Sequence, residues 1–227
     1  RRAVYDREKG MGAYDAVIDA LDWLQQEGIL VHLNSTIVPT NRHRWLELEE
    51  FAKSRNLQLR LTSYCFPPVR RDCSCFERLT PEAAGQLIAE EILHRDGAQA
   101  IKRKAQNLDA PQQHSCELDM GEPMSCLAGK SQFWITWNGQ MVPCAMMTQP
   151  ITHPMKDGFT AAWEQLRVAC DAIRLCPDCV DCPERRSCMN CAAVTFTETG
   201  RFDGKPEYMC QLNRAYRETV TKLAQTV

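Results

Sequence analysis

No apolar run in this 227-residue chain approaches the ~20 residues that a membrane-spanning helix requires. Its opening, RRAVYDREKG, lacks the basic stretch and apolar core of a secretory leader. An excess of one charge is missing too: 27 lysines and arginines face 29 aspartates and glutamates, for a formal net charge of −2. A general nucleic-acid footprint, which rests on a basic surface, is therefore not expected. These absences point to a cytoplasmic protein with neither a membrane nor a nucleic acid as partner. The chain starts at Arg1 instead of methionine, without a strand or cap to open a domain, so it reads as a piece of something longer.

Cysteine is what the chain has in quantity, with thirteen in all. From residue 175 the sequence runs LCPDCVDCPERRSCMNCAAVTFTETGRFDGKPEYMC. Two residues separate Cys179 from Cys182, five precede Cys188, two precede Cys191 and eighteen precede Cys210. Cysteines two apart can aim their sulfurs at one centre across a tight turn, which is the grammar of a metal site. Three chemistries share that grammar. A disulfide framework suits small secreted domains, and this chain is large and leaderless. Structural zinc usually wants its CxxC knuckles about a dozen or more residues apart, and here they are five apart. Iron-sulfur ligation tolerates the short spacing, because a cubane presents its irons at separate corners. The run CPDCVDCP, which begins at Cys176, also reads as the CxxCxxC of a bacterial ferredoxin.

Upstream, Cys126 and Cys144 frame SCLAGKSQFWITWNGQMVPC, with twelve residues before Gly139 and four between Gly139 and Cys144. Together the two stretches resemble the SPASM domain, the twin-cluster extension of radical SAM enzymes that modify peptides and proteins. The resemblance continues through Ala161-Ala162-Trp163, Glu198-Thr199-Gly200 and Pro206-Glu207-Tyr208-Met209-Cys210. One departure is that two residues, where the family commonly has three, lie between Cys188 and Cys191. The resemblance implies two auxiliary [4Fe-4S] clusters with interleaved ligands. One would take Cys116, Cys126, Cys144 and Cys191; the other would take Cys179, Cys182, Cys188 and Cys210, with Cys176 as a possible substitute.

The first hundred residues read as α/β. AVIDALDWLQQEG carries Val17, Ile18, Leu21 and Leu24 at helical spacing, with Gly28 as a stop. ILVHLNSTIV reads as a strand, apolar on both faces as a buried parallel strand should be, and Pro39 ends it. A helix from Arg42 to Arg55 and a strand from Leu57 follow. Helix and strand in alternation predict βαβ units in a parallel sheet. Thr80-Pro81 opens a further helix to about Arg95, continued by a polar stretch from Ala98 to Leu108. Lys102, Arg103 and Lys104 read as its solvated face.

This half resembles the closing part of the partial (β/α)6 TIM-like barrel of a radical SAM enzyme. The family's CxxxCxxC, which holds the cluster that binds S-adenosylmethionine, is not among the 227 residues. The chain is thus expected to be a C-terminal fragment, inactive alone, whose intact parent binds S-adenosylmethionine and a third [4Fe-4S] cluster. The resemblance puts Asn34, at the end of the first strand, near the nucleoside; satisfying strand-end backbone is its blander role. The domains expected are 1–108, the barrel portion, and 109–227, a small α+β SPASM domain. Arg70 and Arg71 lie in a proline-marked loop, and a solvated pair is their simplest meaning. Cys73 and Cys75 read as free thiols, and His114 as surface.

In the second half, Asn138-Gly139 between Phe133–Trp137 and Gln140–Pro143 is the strongest hairpin signal in the chain. Gly158 to Arg174 and Gln211 to about Ala224 read as amphipathic helices. Functionally, the resemblance implies the auxiliary-cluster portion of a maturase acting on a peptide or protein, with a reductant such as flavodoxin or ferredoxin. The alternative from another class is a non-catalytic iron-sulfur or zinc module that binds a peptide or passes electrons.

Overall fold

The computed structural model describes residue 6 and residues 9–67, 77–108 and 123–227. Arg70, Arg71, Cys73, Cys75, His114, Cys116 and the expected boundary at 109 lie outside these residues. The chain divides into two compact units, Arg1–Thr62 and Ser63–Val227.

The first unit is built from α1 (Ala13–Gln26), β1 (His32–Thr36), α2 (Trp45–Ser54) and β2 (Gln58–Thr62). A short 3-10 turn, Arg42–Arg44, leads into α2, and the Arg44 guanidinium grips Glu47 at 2.8 Å. β1 and β2 pair in parallel, His32 opposite Gln58 through Thr36 opposite Thr62. Parallel neighbours need a crossover, and α2 supplies it while packing on β2. Arg55, just past α2, pairs with Asp22 of α1, and the Gln25 amide donates to the Arg55 carbonyl at 2.8 Å. β1 is less buried than its composition suggests. His32, Asn34 and Thr36 are exposed, and Leu33 and Ser35 are half-buried. Among the described residues the sheet of this unit has two strands, too few to bury a strand on both faces.

The second unit is mostly helical: α3 (Pro81–Asn107), α4 (Pro154–Asp157), α5 (Phe159–Asp171), α6 (Ala192–Thr199) and α7 (Glu207–Thr226), with a hairpin of β3 (Trp134–Ile135) and β4 (Met141–Val142). The Thr80 hydroxyl caps α3 by accepting from the Ala83 N–H at 3.2 Å, and Pro81 stands at the first position, where no N–H is needed. α3 breaks at Gly97, whose φ of 78° and ψ of 179° suit glycine alone, and this splits it into the two stretches visible in the sequence.

α7 buries Met209, Leu212, Asn213, Tyr216 and Val220, a stripe at helical period. That stripe lies along α3, where Ala89, Ile101, Leu108, Tyr216 and Val220 form one core, and Gly85 is where the two backbones meet. Compactness therefore places α3 with the second unit, although it precedes residue 109. A second core gathers Met124, Met141, Met147, Leu166, Cys170, Ile173 and Leu175 from the hairpin, α5 and the segments beside them. No helix among the described residues is long and apolar enough to cross a membrane.

Candidate metal centre

The cysteine run is a chain of tight turns. The Cys179 N–H donates to the Cys176 carbonyl at 3.0 Å across the 3-10 turn Pro177–Cys179. The Arg185 N–H donates to the Cys182 carbonyl at 3.0 Å, and a second 3-10 turn, Arg185–Ser187, delivers Cys188 in extended backbone. Cys210 arrives from the first turn of α7, its N–H bonded to the Pro206 carbonyl at 3.1 Å.

The run is clamped to α7. The buried Asn213 amide donates to the Glu184 carboxylate at 3.1 Å, and Arg217 donates to the Ser187 hydroxyl at 3.3 Å and the Leu108 carbonyl at 2.8 Å. A helix that is rigid over twenty residues thus fixes the knuckles beside Cys210.

Four of the thiols feel one another. Burial pushes Cys179 up to about 12, helped by the charge of the Cys176 thiol, by a hydrogen bond with it and by Cys188, and opposed by Arg185. Burial also raises Cys188; the Asn190 N–H and Arg185 oppose it, and Cys182 and Glu184 reinforce it. Cys210 is raised by burial, Glu207, Cys188 and Cys182, against Lys205. Cys179, Cys182, Cys188 and Cys210 therefore form one neighbourhood, and the buried Cys176 touches it through Cys179.

A second neighbourhood draws on distant segments. Cys144 directly follows the hairpin, whose strands pair Trp134 with Val142 and Ile135 with Met141. Its turn closes through Trp137, Asn138 and Gly139, with Gly139 at φ 77° as this three-residue loop demands. The half-buried Cys144 thiol is raised by burial; the Met146 and Met147 N–H groups oppose this, and Cys191 and Cys126 add to it. Cys126 is exposed in the turn before β3, and Cys191 is exposed at the N-terminus of α6. Cys170, on α5 and pressed against Gly129, is pushed up to about 11 by burial first, with Asp171, Cys126 and Cys144 contributing.

Cys188 and Cys191 are three residues apart; the charge of Cys182 contributes at Cys188 and that of Cys191 at Cys144. Cys144 lies near Cys126 and Cys191, Cys188 near Cys179, Cys182 and Cys210, and Cys116 lies outside the described residues. No three His, Cys, Asp or Glu side chains among the described residues converge closely enough to hold a single metal ion.

Asn34 occupies the middle of β1, opposite Arg60, and is exposed. The aromatics of the hairpin do not exclude water from the thiols. Trp134 is 53% exposed and Trp137 94%, and Phe133, also exposed, packs its ring against those of Phe159 and Trp163.

Sequence reasoning missed a polar knot in the same unit. The Glu198 carboxylate, nearly buried on α6, receives both Arg78 amino groups at 2.5 and 3.0 Å and the Tyr64 hydroxyl at 2.6 Å. The Arg78 guanidinium also lies 3.7 Å from the centre of the Tyr208 ring, and the Tyr208 hydroxyl donates to the Leu79 carbonyl at 2.7 Å. The knot ties the segment before α3 to α6 and α7. Only Glu198 and Tyr208 stand in stretches that the motif singled out.

No protein-family model matches the chain, and no curated protein matches it. Solved structures do. Native anSMEcpe with bound AdoMet and Kp18Cys peptide superposes with a TM-score of 0.59 at 12% identity, and the same protein with AdoMet and Cp18Cys peptide with 0.60 at 11%. Each match covers 96% of this chain and 64% of the other, so the chain spans less than two thirds of the length of those structures. At such identity the likeness is one of fold.

Proposed function

We propose that the chain is the auxiliary-cluster portion of a radical SAM maturase that modifies a peptide or protein, and that it holds two [4Fe-4S] clusters. The observation that carries the reading is the pair of thiol neighbourhoods assembled from interleaved positions, on a fold shared with a protein solved with AdoMet and peptide. Cys126, Cys144 and Cys191, with Cys116, would hold one cluster; Cys179, Cys182, Cys188 and Cys210 would hold the other. When bound, such clusters supply one-electron transfer at a potential set by burial and by hydrogen bonds to sulfur.

The protein's own part is positional. The turns at Pro177–Cys179 and Arg185–Ser187 set the path of the thiol-bearing backbone, and Asn213 and Arg217 tie the second of them to α7. The Met146 and Met147 N–H groups favour the Cys144 thiolate, and that of Asn190 favours the Cys188 thiolate, the form that binds iron. Arg185 and Lys205 offset negative charge beside Cys179, Cys188 and Cys210.

Asn34 is proposed as a nucleoside contact in the intact active site. A peptide or protein substrate, a flavodoxin or ferredoxin as reductant and a cytoplasmic setting belong to the same reading, as does the division into 1–108 and 109–227. A third cluster and S-adenosylmethionine belong to the parent. The test is iron and acid-labile sulfide on protein reconstituted without oxygen. About eight of each per chain are expected. One or two zincs with no sulfide would overturn the proposal and leave a zinc-held binding module.

A further inference from the structure

Among the described residues one buried side-chain polar atom has no hydrogen-bond partner, and it lies across from β4, the strand that leads to Cys144. It is the hydroxyl oxygen of Thr152, a residue 6% exposed. The backbone of Thr152 is fully engaged: its N–H donates to the Met141 carbonyl, and its carbonyl accepts from the Met141 N–H, both at 2.9 Å. Two residues that exchange both bonds across an antiparallel pair carry their side chains on one face. The Met141 side chain is wholly buried, in the core that includes Met147, Leu166, Cys170 and Ala192. Cys144 packs against that core, and Ala192 directly follows Cys191 at the head of α6. The Thr152 hydroxyl therefore belongs to the face of the hairpin that meets the surroundings of Cys144 and Cys191.

A hydroxyl held there without an acceptor costs the fold its whole desolvation, whereas valine, of the same shape, would fill the position without that cost. The residues that form this core offer hydrocarbon and sulfur. The acceptor that suits such a place is soft and anionic, and the sulfur of an iron-sulfur cluster is both. We propose that the Thr152 hydroxyl donates a hydrogen bond to a sulfur of the cluster assigned to Cys126, Cys144 and Cys191, and so helps to set its reduction potential. This inference rests on the two-cluster reading. Reduction adds negative charge to the sulfurs, so a donor stabilises the reduced form more than the oxidised one and raises the potential. Thr152 binds no iron, and its loss leaves the ligand set whole.

The experiment compares T152V, T152A and T152S with the wild-type chain after anaerobic reconstitution. It reads iron and sulfide content, the midpoint potential of each cluster by titration followed in electron paramagnetic resonance, and the coupling of exchangeable deuterons to each reduced cluster after transfer into deuterium oxide. The signal that C144A abolishes identifies the cluster in question. All three Thr152 variants are expected to keep wild-type iron and sulfide. In T152V and T152A the potential of that cluster should move to a more negative value and lose one deuteron coupling, while T152S keeps both and the other cluster is unmoved. T152S and T152A differ by the hydroxyl alone, so their comparison decides the matter even where valine hinders assembly. An unmoved potential in T152A with the cluster intact, or an equal shift in T152S and T152A, would overturn the proposal and leave the two-cluster reading standing. A wild-type chain that binds no sulfide would overturn both.

Discussion

At the residue scale the most consequential side chain outside the cysteines is Glu198. It serves Arg78 and Tyr64 at once from a position where only 8% of its side chain is exposed. Replacing it with alanine removes the carboxylate shared by the Arg78 guanidinium, itself only 21% exposed, and the Tyr64 hydroxyl. Glu198→Ala should destabilise the chain by about 3 kcal/mol, read from urea unfolding at neutral pH. Tyr64 gives the knot a pH signature. Burial first, then the hydrogen bond and charge of Glu198, raise its phenol well above the ordinary 10.0. A folded value above the unfolded one means that the neutral phenol supports the fold. That contribution is whole below pH 10 and is lost as pH rises beyond it. Tyr64→Phe should therefore flatten the alkaline fall in stability, measured as thermal midpoint against pH. None of this was legible in the sequence, because Tyr64 and Glu198 are 134 residues apart and neither belongs to a periodic pattern.

Elements were legible where local chemistry decides them. The stripe of α7, the Thr80-Pro81 start of α3 and the Asn138-Gly139 turn each follow from spacing, capping or a positive φ, and each is present. β1 shows the limit, for an apolar strand announces that it can be buried and not that its neighbours will bury it. Gly85 shows another: no spacing or capping rule singles it out, yet it is the place where α3 and α7 touch. A methyl group there would press on the Leu212 carbonyl oxygen and the Tyr216 N–H. Gly85→Ala should therefore destabilise by about 1–3 kcal/mol, despite the better helix propensity of alanine, and denaturant unfolding decides it. A stabilised variant would mean that the helices are further apart than described.

On the scale of the whole molecule, the thiol neighbourhoods knit segments that are remote in sequence. Cys126 and Cys144 come from either side of the hairpin and Cys191 from the head of α6, while Cys210 on α7 joins the knuckles of 179–188. Clusters that bridge such segments would make assembly part of folding. Removing iron with a chelator should lower amide-exchange protection across 123–210 far more than across 13–62, read by hydrogen-exchange mass spectrometry. The spacing of the cysteines suggests a metal centre, and the partition of its ligands comes from a resemblance, because Cys188 and Cys191 sit only three residues apart.

That partition is tested most directly by counting iron in C188A, C191A and C188A/C191A after anaerobic reconstitution. Interleaved clusters predict that each single variant keeps about four irons, with a different resonance signal surviving in each, and that the double variant loses both. If the double variant loses no more than either single one, Cys188 and Cys191 serve the same centre and the two-cluster account is contradicted.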